Sequence, residues 1–277
     1  MLKQSVKAIL KTAFDFWVRI FSGTKIGSFY TEYFIYYILN KQRKVKHKGT
    51  LMTFCIPNKL NLYRADSFSI KEPDTLSWID SIPQGAIVWD IGANVGLYSV
   101  YAAKSRNCKV YAFEPSVFNL ELLARNIFLN KLQDNITIVP ISLSDKLDEN
   151  RFQMTSTNWG GALSTFGAGI DQFGNQFKEV FEYKTIGISM DEAIKHFNLQ
   201  YPQYLKVDVD GIEHFILKGG ANVLNNVNSV LIEINEEYNE QLNECQKYLQ
   251  AAGLSLHKKC YIDSTTQFNQ WWVRSSV

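Results

Sequence analysis

Near the start of the chain, apolar positions recur at helical spacing. Val6, Ile9, Leu10, Ala13, Trp17, Ile20 and Phe21 line one side, while Lys3, Lys7, Lys11, Asp15 and Arg19 make an i, i+4 row on the other. The pattern predicts an amphipathic helix stopped by Ser22-Gly23. Phe29 to Leu39 is crowded with aromatic residues but carries Glu32, and it falls well short of the roughly 20 apolar residues that span a bilayer. The basic run from Lys41 to Lys48 reads as a solvated connector. Residues 49–84 hold broken apolar runs such as Leu51–Ile56 and a helical stretch, Ser77–Ile82, leading into the main domain.

From Ala86 the pattern becomes a repeated alternation. Ala86–Asp90, Cys108–Glu114, Ile136–Ile141, Tyr204–Asp208 and Ser229–Ile234 read as buried strands. Helical periods lie between them: Leu97–Lys104, a helix from Ser116 with Leu120, Leu123, Ala124 and Ile127 on one face, and Asn239–Ala252, with Asn239 as N-cap and Gly253 closing it. Strands alternating with helices predict an α/β domain, a doubly wound and mostly parallel sheet covered on both faces. The alternation is interrupted from Ser144 to Tyr201, a stretch with Asn158-Trp-Gly-Gly161 at its centre, expected as a substrate-side lid or a strand pair extending the sheet edge. The expected organisation is a basic helical extension (1–48), a lead-in (49–84) and the main domain (85–277) with its insertion (144–201).

Composition excludes several classes. With 46% hydrophobic and 20% charged residues in 277, the chain is neither disordered nor a multi-pass membrane protein. Its net charge of +2 conceals an asymmetry. Residues 1–48 hold ten Lys or Arg against two Asp or Glu, and the remainder nineteen against twenty-five. Only the N-terminal sixth is basic, so a nucleic-acid partner is not expected, whereas peripheral membrane contact or a homodimer through residues 1–48 remains open. Cys55, Cys108, Cys245 and Cys260 form no metal or disulfide pattern. The charged start lacks the apolar core of an export signal, which predicts a cytoplasmic protein, with attachment to the inner face of the membrane left open.

Candidate chemistry gathers at three strand ends. Val88-Trp-Asp-Ile-Gly-Ala-Asn-Val-Gly-Leu97 carries a strand through a glycine turn into a helix. Gly92 and Gly96 lack the third glycine of a dinucleotide fingerprint, and Asp90 puts a carboxylate where pyrophosphate would be repelled and an ammonium received. Glu114, in Phe-Glu-Pro at the end of the second strand, can accept hydrogen bonds from both ribose hydroxyls. Together these describe a ligand with a ribose and a cationic amino-acid end but no phosphate, which S-adenosylmethionine fits better than NAD. The third signal is Lys206-Val-Asp-Val-Asp-Gly-Ile-Glu-His214, which brings Asp208 and Asp210 to the same rim. Asp208-Val-Asp210 leaves open a glycosyltransferase, and the turn alone leaves open a non-catalytic nucleoside-binding module.

The three motifs together resemble the FkbM family of S-adenosylmethionine-dependent methyltransferases, over about Trp89 to Asn235. The resemblance implies a Rossmann-like class I sheet of seven strands ending in a reversed hairpin, for which Leu254–His257 and Gln270–Val273 are candidates. It implies O-methylation of a small-molecule or glycan hydroxyl, with Asp90, Gly92, Asn94, Gly96 and Glu114 at cofactor-contact positions and Asn119 and Ser142 as further contacts near the adenosine. Asp210 stands where the family commonly has Glu. Removing the acceptor's proton calls for a base, and the candidates are Asp208 and His214, with Glu213 or Asp210 orienting them or weakly ligating a metal. A divalent metal is left open but is not predicted.

Overall fold

The computed structural model describes residues 2–176, 178–261 and 267–274. The elements in chain order are α1 (Leu2–Ser22), α2 (Lys25–Leu39), β1 (Gln42–His47), β2 (Thr50–Cys55), α3 (Lys59–Asp66), α4 (Phe68–Lys71), α5 (Pro73–Ser81), β3 (Ile87–Ile91), α6 (Leu97–Arg106), β4 (Lys109–Phe113), α7 (Val117–Asn130) and β5 (Ile136–Val139). The insertion follows with β6 (Ser142–Leu143), β7 (Asp148–Met154), β8 (Ser164–Phe166), β9 (Phe181–Ile188) and α8 (Met190–Phe197). The chain then runs through β10 (Tyr204–Val207), α9 (Glu213–Lys218), α10 (Ala221–Asn226), β11 (Ser229–Asn235), α11 (Asn239–Ala251), β12 (Leu254–Tyr261) and β13 (Gln267–Arg274).

Seven strands form one sheet in the order β12-β13-β11-β10-β3-β4-β5. The five from β11 to β5 are parallel, and β13 runs antiparallel between β11 and β12 as the reversed hairpin. Both faces are buried, which is why the central strands are continuous apolar runs rather than alternating ones. On one face Met52, Phe54, Phe68, Leu76, Trp78 and Ile79 pack with Val100 and Tyr101 of α6. On the other, Ile216 and Leu217 of α9 and Cys245 and Leu249 of α11 share a core with Phe152, Met154 and Phe166 from the insertion. The order reverses between β3 and β10, and ligands of open α/β sheets bind beyond the strand ends at such a point.

Four local expectations are corrected. The basic run is not a connector: β1 pairs antiparallel with β2, with Val45 and His47 turned inward between exposed Arg43, Lys44, Lys46 and Lys48. The period of two was there, masked by charge density. The insertion does not extend the main sheet; it forms its own sheet, β6-β9-β7-β8, and adds α8, whose Ser189 and Glu192 make a capping box. The helix expected over Ser77–Ile82 begins earlier, with Pro73 at its first turn. Finally, Tyr238 rather than Asn239 is the N-cap of α11, and no side chain caps it.

Candidate active site

The turn from β3 into α6 is built against the loop that follows β10. Gly92 has φ 80°, and a Cβ there would lie 1.8 Å from the Asp208 carbonyl oxygen. Only glycine lets these two backbones meet. Gly96, also at positive φ, is the N-cap of α6, and its missing side chain leaves room for Leu123. Two connected cavities open from this junction, both lined by Gly92, Asn94, Ala162, Asp208 and Asp210.

The smaller cavity is a slot of about 70 Å³ between Ile141, Leu143, Phe152 and Phe166. Glu114 and Asn119 close one end, and Ser142 lies in its wall with a buried Oγ that has no hydrogen-bond partner. Glu114 is fixed as an acceptor: the backbone N–H groups of Asn94 and Ser116 each donate to it at 2.8 Å, and Asn119 Nδ2 donates at 3.4 Å. Burial nevertheless pushes its carboxyl up to about 7, with those hydrogen bonds pulling the other way.

A strap of backbone, Trp159 to Leu163, covers the junction. Asn94 Nδ2 and Asn119 Nδ2 donate to the Gly161 carbonyl, and the Gly160 N–H donates to Asn119 Oδ1. Arg64 Nη2 donates to the Gly160 carbonyl at 2.7 Å, and Asn58 and Asn61 donate to that of Trp159. The far end is held by Asp210, whose Oδ2 accepts from Leu163 N–H at 2.7 Å. Asn94 and Asn119 therefore hold the strap as well as facing the slot.

The larger cavity, about 350 Å³, is polar and mixed in charge. Its floor is Lys206, almost fully buried, whose Nζ lies 2.9 Å from Asp208 Oδ2 and 3.5 Å from Asp90 Oδ1. Burial opposes the lysine's charge, but Asp208, Asp90 and Glu72 outweigh it and keep the ammonium protonated. Burial likewise works against the charge on Asp208, yet Lys206 and a hydrogen bond from Glu233 hold its carboxyl at about 2. Glu233 is displaced the other way: burial and the Asp208 charge raise it well above the usual carboxylate range, so it is the protonated partner. Asp210 is pushed up to about 6 by burial and by Asp208, against the N–H groups of Leu163 and Ser164.

The structure thus brings Gly92, Asn94, Glu114, Asn119, Ser142, Asp208 and Asp210 around one cleft. Asp90 sits just beneath it, accepting from Ser99 Oγ at 2.6 Å and paired with Lys206. Glu213 and His214 line neither cavity. Glu213 is buried and accepts from the N–H groups of Val209 and Gly211 and from Gln241, bracing the loop that carries Asp208 and Asp210. His214 packs between Phe215 and Tyr238 with both ring nitrogens unpartnered, and burial lowers its pKa. Among the described residues no group of three or more His, Cys, Asp and Glu is arranged to hold a metal ion.

Several polar lining residues carried no motif, among them Arg64, Lys71, Glu72 and Tyr98. They reach the cleft from outside the three signatures, and nothing local marks them. Lys206 did leave a signal, as the lone charge in a strand buried on both faces.

The reversed hairpin, the glycine turn and the acidic end of β4 define a Rossmann-like methyltransferase fold. The chain belongs to the FkbM methyltransferase family: residues 90–257 match the family described as "Methyltransferase FkbM domain". It is 28% identical over 162 residues to the hexuronic acid methyltransferase AglP of Haloferax volcanii, covering 56% of this chain and 59% of that protein. It is also 28% identical over 173 residues to the methyltransferase sdnD of Sordaria araneosa, covering 51% and 62%. The chain thus spans about three fifths of the length of these curated relatives. Among solved structures, methyltransferase FkbM from Methylobacillus flagellatus superposes with a TM-score of 0.49 at 14% identity, over 69% of this chain and 44% of that one.

Proposed function

We propose that the protein is an S-adenosylmethionine-dependent O-methyltransferase acting on a sugar hydroxyl. The observation that carries this reading is the junction of a narrow apolar slot, ended by Glu114, with a polar chamber holding Asp208 and Asp210. The lining of the slot suits the adenosyl end of the cofactor, the bulk of which would extend into the larger chamber. The slot's walls are aliphatic and aromatic, the unpartnered Ser142 Oγ offers a hydrogen bond, and Glu114 is placed for ribose hydroxyls.

When bound, the cofactor supplies an electrophilic methyl group. The chain's residues hold the acceptor in line with it and exclude water, which is the larger part of such catalysis. Asp208 stays ionised across the physiological range and accepts a hydrogen bond from the acceptor hydroxyl, orienting its oxygen. Asp210, whose pKa lies closer to the working pH, takes the proton as that oxygen loses it. Lys206 and Glu233 hold Asp208 low, while burial and the Asp208 charge raise Asp210. Glu213 and His214 act on the loop and its packing rather than on the reacting atoms.

A sugar acceptor is supported by the chamber's many donors and acceptors, among them Gln172, Asn269 and Glu72, and by the hexuronic acid methyltransferase among the relatives. Arg64 and Lys71 in its wall favour an acidic sugar. The test is transfer of labelled methyl from S-adenosylmethionine to a panel of uronic-acid and neutral oligosaccharides. Labelled methyl ether on the uronic-acid members is expected. Transfer to none of them, with transfer to phenolic or carboxylic acceptors instead, would remove the sugar assignment.

A further inference from the structure

The α1–α2 hairpin presents an apolar surface that the rest of the chain does not cover. Fourteen large apolar side chains of these two helices are more than half exposed, against six in all the other described residues. Leu10, Phe14 and Trp17 on α1 and Phe29, Phe34 and Tyr37 on α2 are among them. The helices pack chiefly on each other. Exposed patches of this kind mark sites of association.

The charge around the patch selects the occupant. Lys7, Lys11, Arg19, Lys25, Lys44 and Lys46 are exposed and make no ion pair among the described residues. On α1 the basic row and the apolar stripe occupy opposite sides, the arrangement of a helix lying in a membrane interface with its lysines reaching outward to headgroups. α2 contributes Tyr30, Tyr33, Tyr36 and Tyr37, the amphipathic rings that concentrate at headgroup depth. A second copy is a poor match, because two such faces would bring like charge against like charge. No helix among the described residues is long and apolar enough to cross a membrane, and α2, with 15 residues, is about 22 Å long against a hydrocarbon core of roughly 30 Å.

We propose that the α1–α2 hairpin and the outer face of β1 dock this protein on the surface of an anionic phospholipid bilayer, without spanning it. The full chain is mixed with sedimentable vesicles of phosphatidylcholine alone, or with about one third phosphatidylglycerol, at low and at high salt. Binding to the anionic vesicles at low salt is expected, at least ~10-fold weaker in high salt and on neutral vesicles. Trp17→Glu with Phe34→Glu, and separately Lys44→Glu with Lys46→Glu, should each lower the bound fraction at least ~10-fold. These side chains are exposed and distant in sequence from the cleft, so unfolding temperature and cofactor binding should match the parent and separate this result from any failure of the methyltransferase reading. Absence of binding to anionic vesicles at low salt overturns the proposal, as does full binding by either variant. A vesicle-free dimer dissociated by Trp17→Glu with Phe34→Glu would also overturn it, assigning the face to a second copy.

Discussion

Asp208 and Asp210 are two residues apart yet differ in acidity because their neighbours differ. Asp208 faces a buried ammonium and a protonated Glu233, whereas Asp210 faces the negative charge of Asp208 across a desolvated wall. A carboxyl near 6 that must be ionised to accept a proton gives a rate that is low below that pH and climbs to a plateau above it. The rate of methyl transfer should therefore rise through about pH 6. Asp210→Asn should abolish that limb and cut turnover at least ~100-fold. Asp208→Asn should lower turnover while leaving the limb visible. A pH–rate profile of the three proteins checks both statements, and an unchanged profile in Asp210→Asn would take that residue out of the chemistry.

At the scale of elements, the cleft is a meeting of loops held by buried charge. β10 delivers Lys206 to the floor, where it neutralises Asp90 from β3 and Asp208 beyond its own end. Replacing it with methionine leaves carboxylates buried without a counter-charge, a loss of about 3–5 kcal/mol. Urea unfolding of Lys206→Met should show it, and a midpoint equal to that of the parent would contradict the assignment. The β3–α6 turn and Glu114 were legible in the sequence because each is a local device, a glycine where backbones touch or a carboxylate at a strand end. The main sheet was legible because strands buried on both faces leave continuous apolar runs. The strap was not, since its glycines showed a turn but not its partners. Asn61 reaches Trp159 across 98 positions, and no periodicity encodes such a pairing. β1 was hidden for a different reason, its alternation being carried by only two inward residues among lysines and an arginine. His214 drew attention because a histidine near two aspartates suggests a base, while the helix packs its ring against Phe215 and Tyr238, outside both cavity linings.

For the whole molecule, the charge division matches a division of surfaces. The acidic body encloses a cleft whose carboxylates are individually placed, Asp90 and Glu114 buried and Asp208 and Asp210 half-buried, and the basic extension carries its charge on exposed lysines and arginines beside an apolar hairpin. Cofactor recognition links the global fold to one titration. On the proposed reading Glu114, raised to about 7 in the free protein, would be ionised by ribose hydroxyls that donate to it, so binding should release protons and tighten as pH rises toward about 7. Calorimetric titration of the full chain with S-adenosylmethionine, at pH values on either side of 7, is the most direct measurement. The account predicts one site, affinity in the micromolar range, tighter binding and less proton release on the alkaline side, and no comparable binding of NADH. Titrations showing no binding of S-adenosylmethionine at millimolar concentration by a folded chain would contradict it.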